Sequence, residues 1–250
     1  GDDILFTSSD GTTKLSHQLE KYVSGTGEVV AWVKVPSISS SAATDLYLYY
    51  GNASVASQQD AVNVWDSNFK GVWHLNQGTG VTAVDSTSNA NSGTPQGSPT
   101  TAAGEIGSAL TFGASSQWLT IGAAASLDLT TYSDWTMSAW VKPTTYAGTS
   151  WPTIYSYGSY RASMGLSQIE AGTDGRIENW TNDTVVREST SAVTLNAWNY
   201  VTISRTATTT SFYLNGVAVG SGTSTAVTTA GQTSRIGNDG ASIDDQYLGL

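Results

Sequence analysis

The sequence contains no cysteine. That removes disulfide staples, thiolate nucleophiles and zinc–thiolate centres together, so stability must come from packing and backbone pairing. Charge is also scarce. Asp, Glu, Lys and Arg make up 12% of residues, ten basic against twenty acidic, for a net charge of −10. The five lysines all precede Pro143 and the five arginines all follow Tyr160, and neither set clusters. A phosphate-backbone partner needs a clustered basic face, so nucleic acid is excluded. No apolar run approaches the ~20 residues of a spanning helix, and no membrane insertion is expected. The chain opens Gly1-Asp2-Asp3, acidic from the start and unlike a signal peptide, so it reads as processed or fragmentary. No Gly-x-Ser-x-Gly elbow, His-Glu-x-x-His or P-loop occurs. The two histidines, His17 and His74, lie in different parts of the chain and read as structural.

What replaces charge is Ser, Thr, Asn, Gln and Gly, a neutral hydrogen-bonding composition that suits sugars as well as plain solvation. Apolar residues, at 39%, suffice for a core. At 250 residues the chain can hold one large β domain, or a medium and a small one. The clearest stretch is Asp134–Lys142. Trp135, Met137, Ala139 and Val141 alternate with Thr136, Ser138, Trp140 and Lys142, and Pro143 closes the run. Period-two alternation of that length is a half-buried strand and fits no helix.

The remainder has the same grammar. In residues 1–70, strands are expected at Ile4–Thr7, Glu28–Val35 and Asp45–Tyr50, with Leu15–Val23 ambiguous and a helical turn within 56–68. From residue 71 on, they are expected at Gly71–Leu75, Ala109–Phe112, Trp118–Ile121, Thr153–Tyr157, Met164–Ile169, Arg176–Trp180 and Trp198–Arg205. Residues 85–104 read as a low-complexity loop. Ser211–Val219 is the best hairpin, because Asn215-Gly216, the type I′ dipeptide, sits between alternating runs. The fold class is all-β: an antiparallel sandwich preceded by a small β unit.

Several stretches, in order, carry a family resemblance. They are Gly71-Val-Trp-His-Leu with Asp85-Ser-Thr-Ser-Asn, Ala109-Leu-Thr-Phe-Gly, Trp118-Leu-Thr-Ile, Trp135-Thr-Met-Ser-Ala-Trp-Val-Lys-Pro, Ala197-Trp-Asn-Tyr-Val and Phe212-Tyr-Leu-Asn-Gly. Residues 71–250 thereby resemble the laminin-G-like, concanavalin A-like jelly rolls of microbial surface proteins. Residues 1–70, with Asp3-Ile-Leu-Phe-Thr, Val30-Ala-Trp-Val-Lys-Val-Pro and Tyr47-Leu-Tyr-Tyr-Gly-Asn, resemble an uncharacterised β domain that often precedes them. Against both families the chain reads as clipped: the first lacks its earlier half and the second its last strand. Either further residues of the same chain or a strand from a neighbouring copy would complete the sheets.

Function is weighed residue by residue. Concanavalin-like glycosidases use two carboxylates on one strand, whereas here Glu170 and Glu178 stand alone and Asp244-Asp245, being adjacent, would face opposite ways. No catalytic residues are assigned. The resemblance implies a concave sheet that carries Thr136, Ser138 and Trp140 outward. An indole beside short hydroxyls can stack on a pyranose ring, with Trp151, Tyr155, Tyr157, Tyr160 and Trp180 on neighbouring segments. The alternative is packing, with Trp140 under the 143–152 loop, as is expected of Trp73, Trp118 and Trp135. Calcium is common in laminin-G-like domains. Asp85, Asn89 and Asn91 supply oxygens in one loop, and Asp239 lies in a second acidic loop with Asp244-Asp245; the alternative is a self-capping Asx turn. The expected function is extracellular or cell-surface adhesion in a microbe, through glycans or surface polysaccharide. The alternative is a filament or surface-layer subunit that pairs with its own copies, or with other surface proteins, through strand edges.

Overall fold

A computed structural model of the chain describes residues 1–80, 82–114, 116–145, 151–159, 161–167, 175–182, 184–240, 247 and 249–250, with backbone alone for 185–187. Its regular secondary structure is almost entirely strand, and it divides into two compact units. The first comprises Gly1–His74 and Asp85–Ala90, the second Leu75–Val84 and Asn91–Leu250. The boundary expected after Lys70 thus lies inside the first unit. The reason is a local pairing: Asp85 forms a β-bridge with Trp73, and its Oδ1 accepts from the Val72 amide at 2.9 Å. Gly71–Leu75 therefore contributes a single bridge where a strand was expected.

In the first unit, β1 (Leu5–Thr7) lies between β2 (Lys14–Leu15) and β5 (Tyr47–Tyr49), while β3 (His17–Val23) and β4 (Glu28–Val33) form an antiparallel pair. Of Leu15–Val23, ambiguous by its own pattern, His17–Val23 becomes strand because β4 offers it a ladder, while Leu15 pairs with Phe6 of β1; tertiary pairing overrides weak local preference. A bulge between Leu19 and Lys21 takes Glu20 out of that ladder. The expected helical turn is α1 (Ala61–Val64).

The second unit is a two-layer sandwich. Its elements are β6 (Thr94–Gln96), β7 (Thr100–Ala103), β8 (Ser108–Thr111), β9 (Trp118–Gly122), β10 (Trp135–Val141), β11 (Thr153–Tyr157) and β12 (Ala162–Leu166). There follow β13 (Arg176–Thr181), β14 (Thr184–Ala192), β15 (Asn199–Thr206), β16 (Thr209–Leu214), β17 (Val217–Thr223) and β18 (Ser234–Ile236). One large sheet runs β10-β15-β16-β17 and the other β14-β13-β12-β11-β18-β9-β6, with β7 and β8 forming a separate pair, and every pair is antiparallel. Short β6 and β7 fall inside the expected low-complexity loop, where Pro95 and Pro99 argue against a central strand; among the described residues β6 is accordingly the end strand of its sheet.

Alternation decides what meets between the layers. Along β10 the burial pattern has the expected period of two, and Trp135 and Met137 pack on a cluster of Leu129, Tyr157, Ala162 and Val227. Val201, Ile203 and Phe212, from β15 and β16, are fully buried, as are Met164, Leu166 and Ile177 from β12 and β13. The sheets close along one side, where the Thr190 hydroxyl of β14 donates to the Val219 carbonyl of β17 at 2.9 Å. The β16–β17 turn has Asn215 and Gly216 at φ 51° and 80°, the left-handed pair that a type I′ turn requires. Gly249 bridges both Phe112 and Pro143, and a Cβ there would lie 2.5 Å from the Lys142 carbonyl, so the close approach demands glycine. Among the described residues no helix is long and apolar enough to cross a membrane.

Candidate functional site

Each sheet of the sandwich turns one face away from the core, and the two faces differ. On the four-stranded sheet, Thr136, Ser138 and Trp140 are exposed, with 39% of Trp140 accessible. Register places Tyr200, Thr202 and Ser204 of β15 opposite them. The Trp140 and Tyr200 rings lie 5.2 Å apart at a 43° tilt, and the Tyr200 hydroxyl donates to Ser138 Oγ at 3.0 Å. Thr136 Oγ1 donates to Ser204 Oγ at 3.2 Å. The ladders then continue the hydroxyl row through Ser211 to Ser221. The outcome is an aromatic pair at one end of a surface that carries short hydroxyls and, opposite Thr202, the ring of Tyr213. Of these three aromatic rings, sequence reading named one. Tyr200 sits at an outward position of an alternating run, but which strand pairs with β10 was not visible in the chain.

The seven-stranded sheet holds the other three residues named for the same site, and it separates them. Tyr155 and Tyr157 face the core and do not join Trp140: Tyr157 has no accessible surface and Tyr155 packs on the same cluster. Tyr157 donates to Asp128 Oδ1 at 2.7 Å, and burial pushes both phenols up to about 12. Asp128 is drawn down to about 2, chiefly by the Thr130 hydroxyl. Period-two reading found the strand but could not tell which of its faces was covered. Trp180 lies on the opposite, outward face, in edge-to-face contact with Trp151 (5.6 Å, 84°). Its indole N–H donates to Glu178 Oε1 at 3.0 Å.

Glu178 is not isolated, as the sequence alone suggested. It lies directly across the β13–β14 ladder from Glu188. Glu188 accepts from Ser167 Oγ at 2.9 Å and pairs with Arg176 at 3.9 Å. Glu178 is 1% exposed, and Ser156, Ser163 and Ser167 are buried with it. Tyr160, Glu170, Asp244 and Asp245 lie outside the described residues.

Of the residues named for calcium, Asp85 and Asn89 lie in the first unit, Asn91 and Asp239 in the second. Besides Val72, Asp85 accepts from the Thr87 amide (2.9 Å) and hydroxyl (2.8 Å), which is the self-capping Asx turn. The Asn89 amide nitrogen donates to the Phe69 carbonyl at 3.1 Å, and that of Asn91 to Ser126 Oγ at 2.9 Å. Asp239 is buried, its main-chain carbonyl accepting from Ser159 and Arg235. Among the described residues no three His, Asp or Glu side chains converge on one point. In the first unit an open groove of about 310 Å³ is lined by Val35, Ile38, Ala42, Thr44 and Leu46, and it offers a sugar little to hydrogen-bond.

An antiparallel jelly-roll sandwich with an exposed polar-aromatic sheet face defines a broad class of β proteins. Comparison places the chain within it: residues 112–250 match the sequence model of the concanavalin A-like lectin/glucanases superfamily, and the chain belongs to that superfamily. Residues 1–88 match a domain of unknown function, DUF2341. Comparison with curated proteins gave no match. Among solved structures, the chain is similar to domain 4 of AbnA, a GH43 extracellular arabinanase from Geobacillus stearothermophilus, in complex with arabinotriose. The identity is 22% and the TM-score 0.48, covering 62% of this chain and 72% of that one. It is also similar to the carbohydrate binding module CBM66 from Bacillus subtilis, at 12% identity and TM-score 0.34, covering 55% and 82%. A third is a heptameric SAP-like pentraxin from Limulus polyphemus, at 18% identity and TM-score 0.33, covering 46% and 58%.

Proposed function

We propose that the chain is a non-catalytic recognition module, displayed outside a microbial cell, that binds uncharged glycans on the outward face of the four-stranded sheet. One observation carries this reading: the exposed Trp140 indole is steadied against Tyr200 at the end of a hydroxyl-lined surface. Ordering these side chains before a ligand arrives reduces the entropy lost on binding. Sugar faces present C–H groups to an aromatic ring while their hydroxyls reach the row from Thr136 to Ser221. The surplus of acidic residues disfavours anionic polysaccharides.

The test is a panel of neutral and anionic polysaccharides, measured with the wild-type chain and Trp140→Ala. A hot-spot tryptophan is worth about 2 kcal/mol or more, so affinity for a neutral glycan should fall about 30-fold or more with the melting temperature unchanged. Retained affinity in the variant removes this surface from the proposal. Repeating the titration with calcium and with chelator tests the calcium reading, and equal affinity in both discards it. Assay for new reducing ends on the same panel tests the non-catalytic reading. If the folded chain binds nothing, assembly through strand edges becomes the better account, since among the described residues β10 stands last in its sheet, with Lys142 just past it paired to Leu250.

A further inference from the structure

The register of the four-stranded sheet places a third ring beside the Trp140–Tyr200 pair. Phe212 is fully buried, so alternation along β16 turns Tyr213 to the outward face. Trp140 is exposed there, and Tyr200 and Tyr213 are partly accessible. Trp140 lies directly opposite Tyr200 across the β10–β15 ladder. Tyr213 pairs with Thr202, two residues along β15 from Tyr200, and is therefore the diagonal neighbour of that ring, with Cα atoms about 7–8 Å apart. The rings thus cross three adjacent strands, one ring to a strand. On the far side of Tyr213 stands Ala218 of β17, exposed and too small to cover a phenol. Ser138 and Thr202 lie opposite each other beside the row and offer it hydroxyls.

Spacing and tilt decide what such a row can hold. At 5.2 Å, Trp140 and Tyr200 are within packing distance of one another and make one continuous apolar platform. Tyr213 carries that platform a strand further. A monosaccharide covers little more than one ring and leaves the others wet, whereas a chain lays successive sugars on successive rings. Each further ring covered adds contact without a second loss of translational freedom. The planes of Trp140 and Tyr200 are tilted by 43°. A flat ribbon fixed in a crystal cannot lie flush on both planes, but a single dissolved chain can twist at its glycosidic linkages and do so. Trp140, Tyr200, Tyr213, Ser138, Thr202 and Ala218 are all without charged groups, which suits a neutral chain.

We propose, resting on glycan recognition by this sheet face, that Trp140, Tyr200 and Tyr213 form an aromatic ladder for an unbranched, neutral, soluble oligosaccharide chain, one sugar to a ring. Tyr213 sets the length of chain that the site rewards. Extended chains fit the row best, because their successive sugars advance in one direction across the strands.

The experiment is calorimetric titration of the full chain with β-1,4-linked oligomers of glucose, mannose and xylose, from mono- to hexasaccharide. Affinity for at least one series should rise about three- to tenfold at each step up to the trisaccharide and then level off. Tyr213→Ala should abolish the step from di- to trisaccharide, and Tyr213→Phe, which keeps the ring, should retain it. Melting temperatures show whether each variant is folded; should Tyr213→Ala fail to fold, the wild-type length profile decides alone. Crystalline cellulose should retain none of the protein. A flat length profile, a di-to-trisaccharide step that persists in folded Tyr213→Ala, or retention on crystalline cellulose overturns the ladder and leaves glycan recognition standing. The same holds if the chain binds a polysaccharide but none of the oligomers. Failure to bind any polysaccharide overturns glycan recognition itself, and the ladder with it.

Discussion

The two outward faces of the sandwich are built from similar residue types and behave oppositely. On the four-stranded sheet, Trp140, Tyr200 and their hydroxyl neighbours stay accessible and bond lightly to one another. On the seven-stranded sheet, Trp180 donates to a carboxylate with almost no accessible surface, over serines that are themselves buried. A group in contact with water can be removed at small cost to the fold. A buried polar group cannot, because its partner is left unsatisfied. The difference separates a surface that can exchange water for ligand from one whose hydrogen bonds are already spent on the protein.

Substitutions can break that contrast or sharpen it. The largest loss should come from the inner layer, where Tyr157→Ala empties a fully buried ring position; about 3–5 kcal/mol is expected, read by denaturant unfolding. Next is Glu178→Leu, which strips Trp180 of its acceptor. It should lower stability by about 1–3 kcal/mol. Ser138→Ala on the other face should stay within about 0.5 kcal/mol. Equal costs at Glu178 and Ser138 would erase the distinction between the faces. The smallest effect is conditional on pH. Asp128 titrates at about 2 in the folded chain, below its ordinary 3.8, so its stabilisation is complete above the ordinary value and lost as pH falls toward about 2. Asp128→Asn should therefore blunt the acid limb of the stability profile and leave the neutral region less affected.

The architecture was largely legible because alternation is a local signal. β10, the β16–β17 turn and most core strands could be read from side-chain period and turn chemistry. Pairing is not local, and the errors follow from that. His17–Val23 needed β4 to become a strand, and Glu178 needed Glu188 opposite to cease being isolated. Trp140, Thr136 and Ser138 lie on one exposed face because they alternate along one strand. Tyr155 and Tyr157 were misplaced because a face can be called core only when the opposing layer is known. The Asp85 loop shows the same limit: its spacing allows a metal or a self-capped turn, and the turn's donors, Val72 and Thr87, come into view only with the fold.

The chain path between the units has a mechanical consequence. It leaves the first unit after His74, re-enters it at Asp85 and leaves again after Ala90. The first unit is therefore no detachable bead on a string. A single cut within 75–84 would leave Trp73 and Asp85 on separate fragments that are still bridged backbone to backbone. Severing the covalent tether need not release the fragments. The backbone passes between the units at 74–75, at 84–85 and again at 90–91.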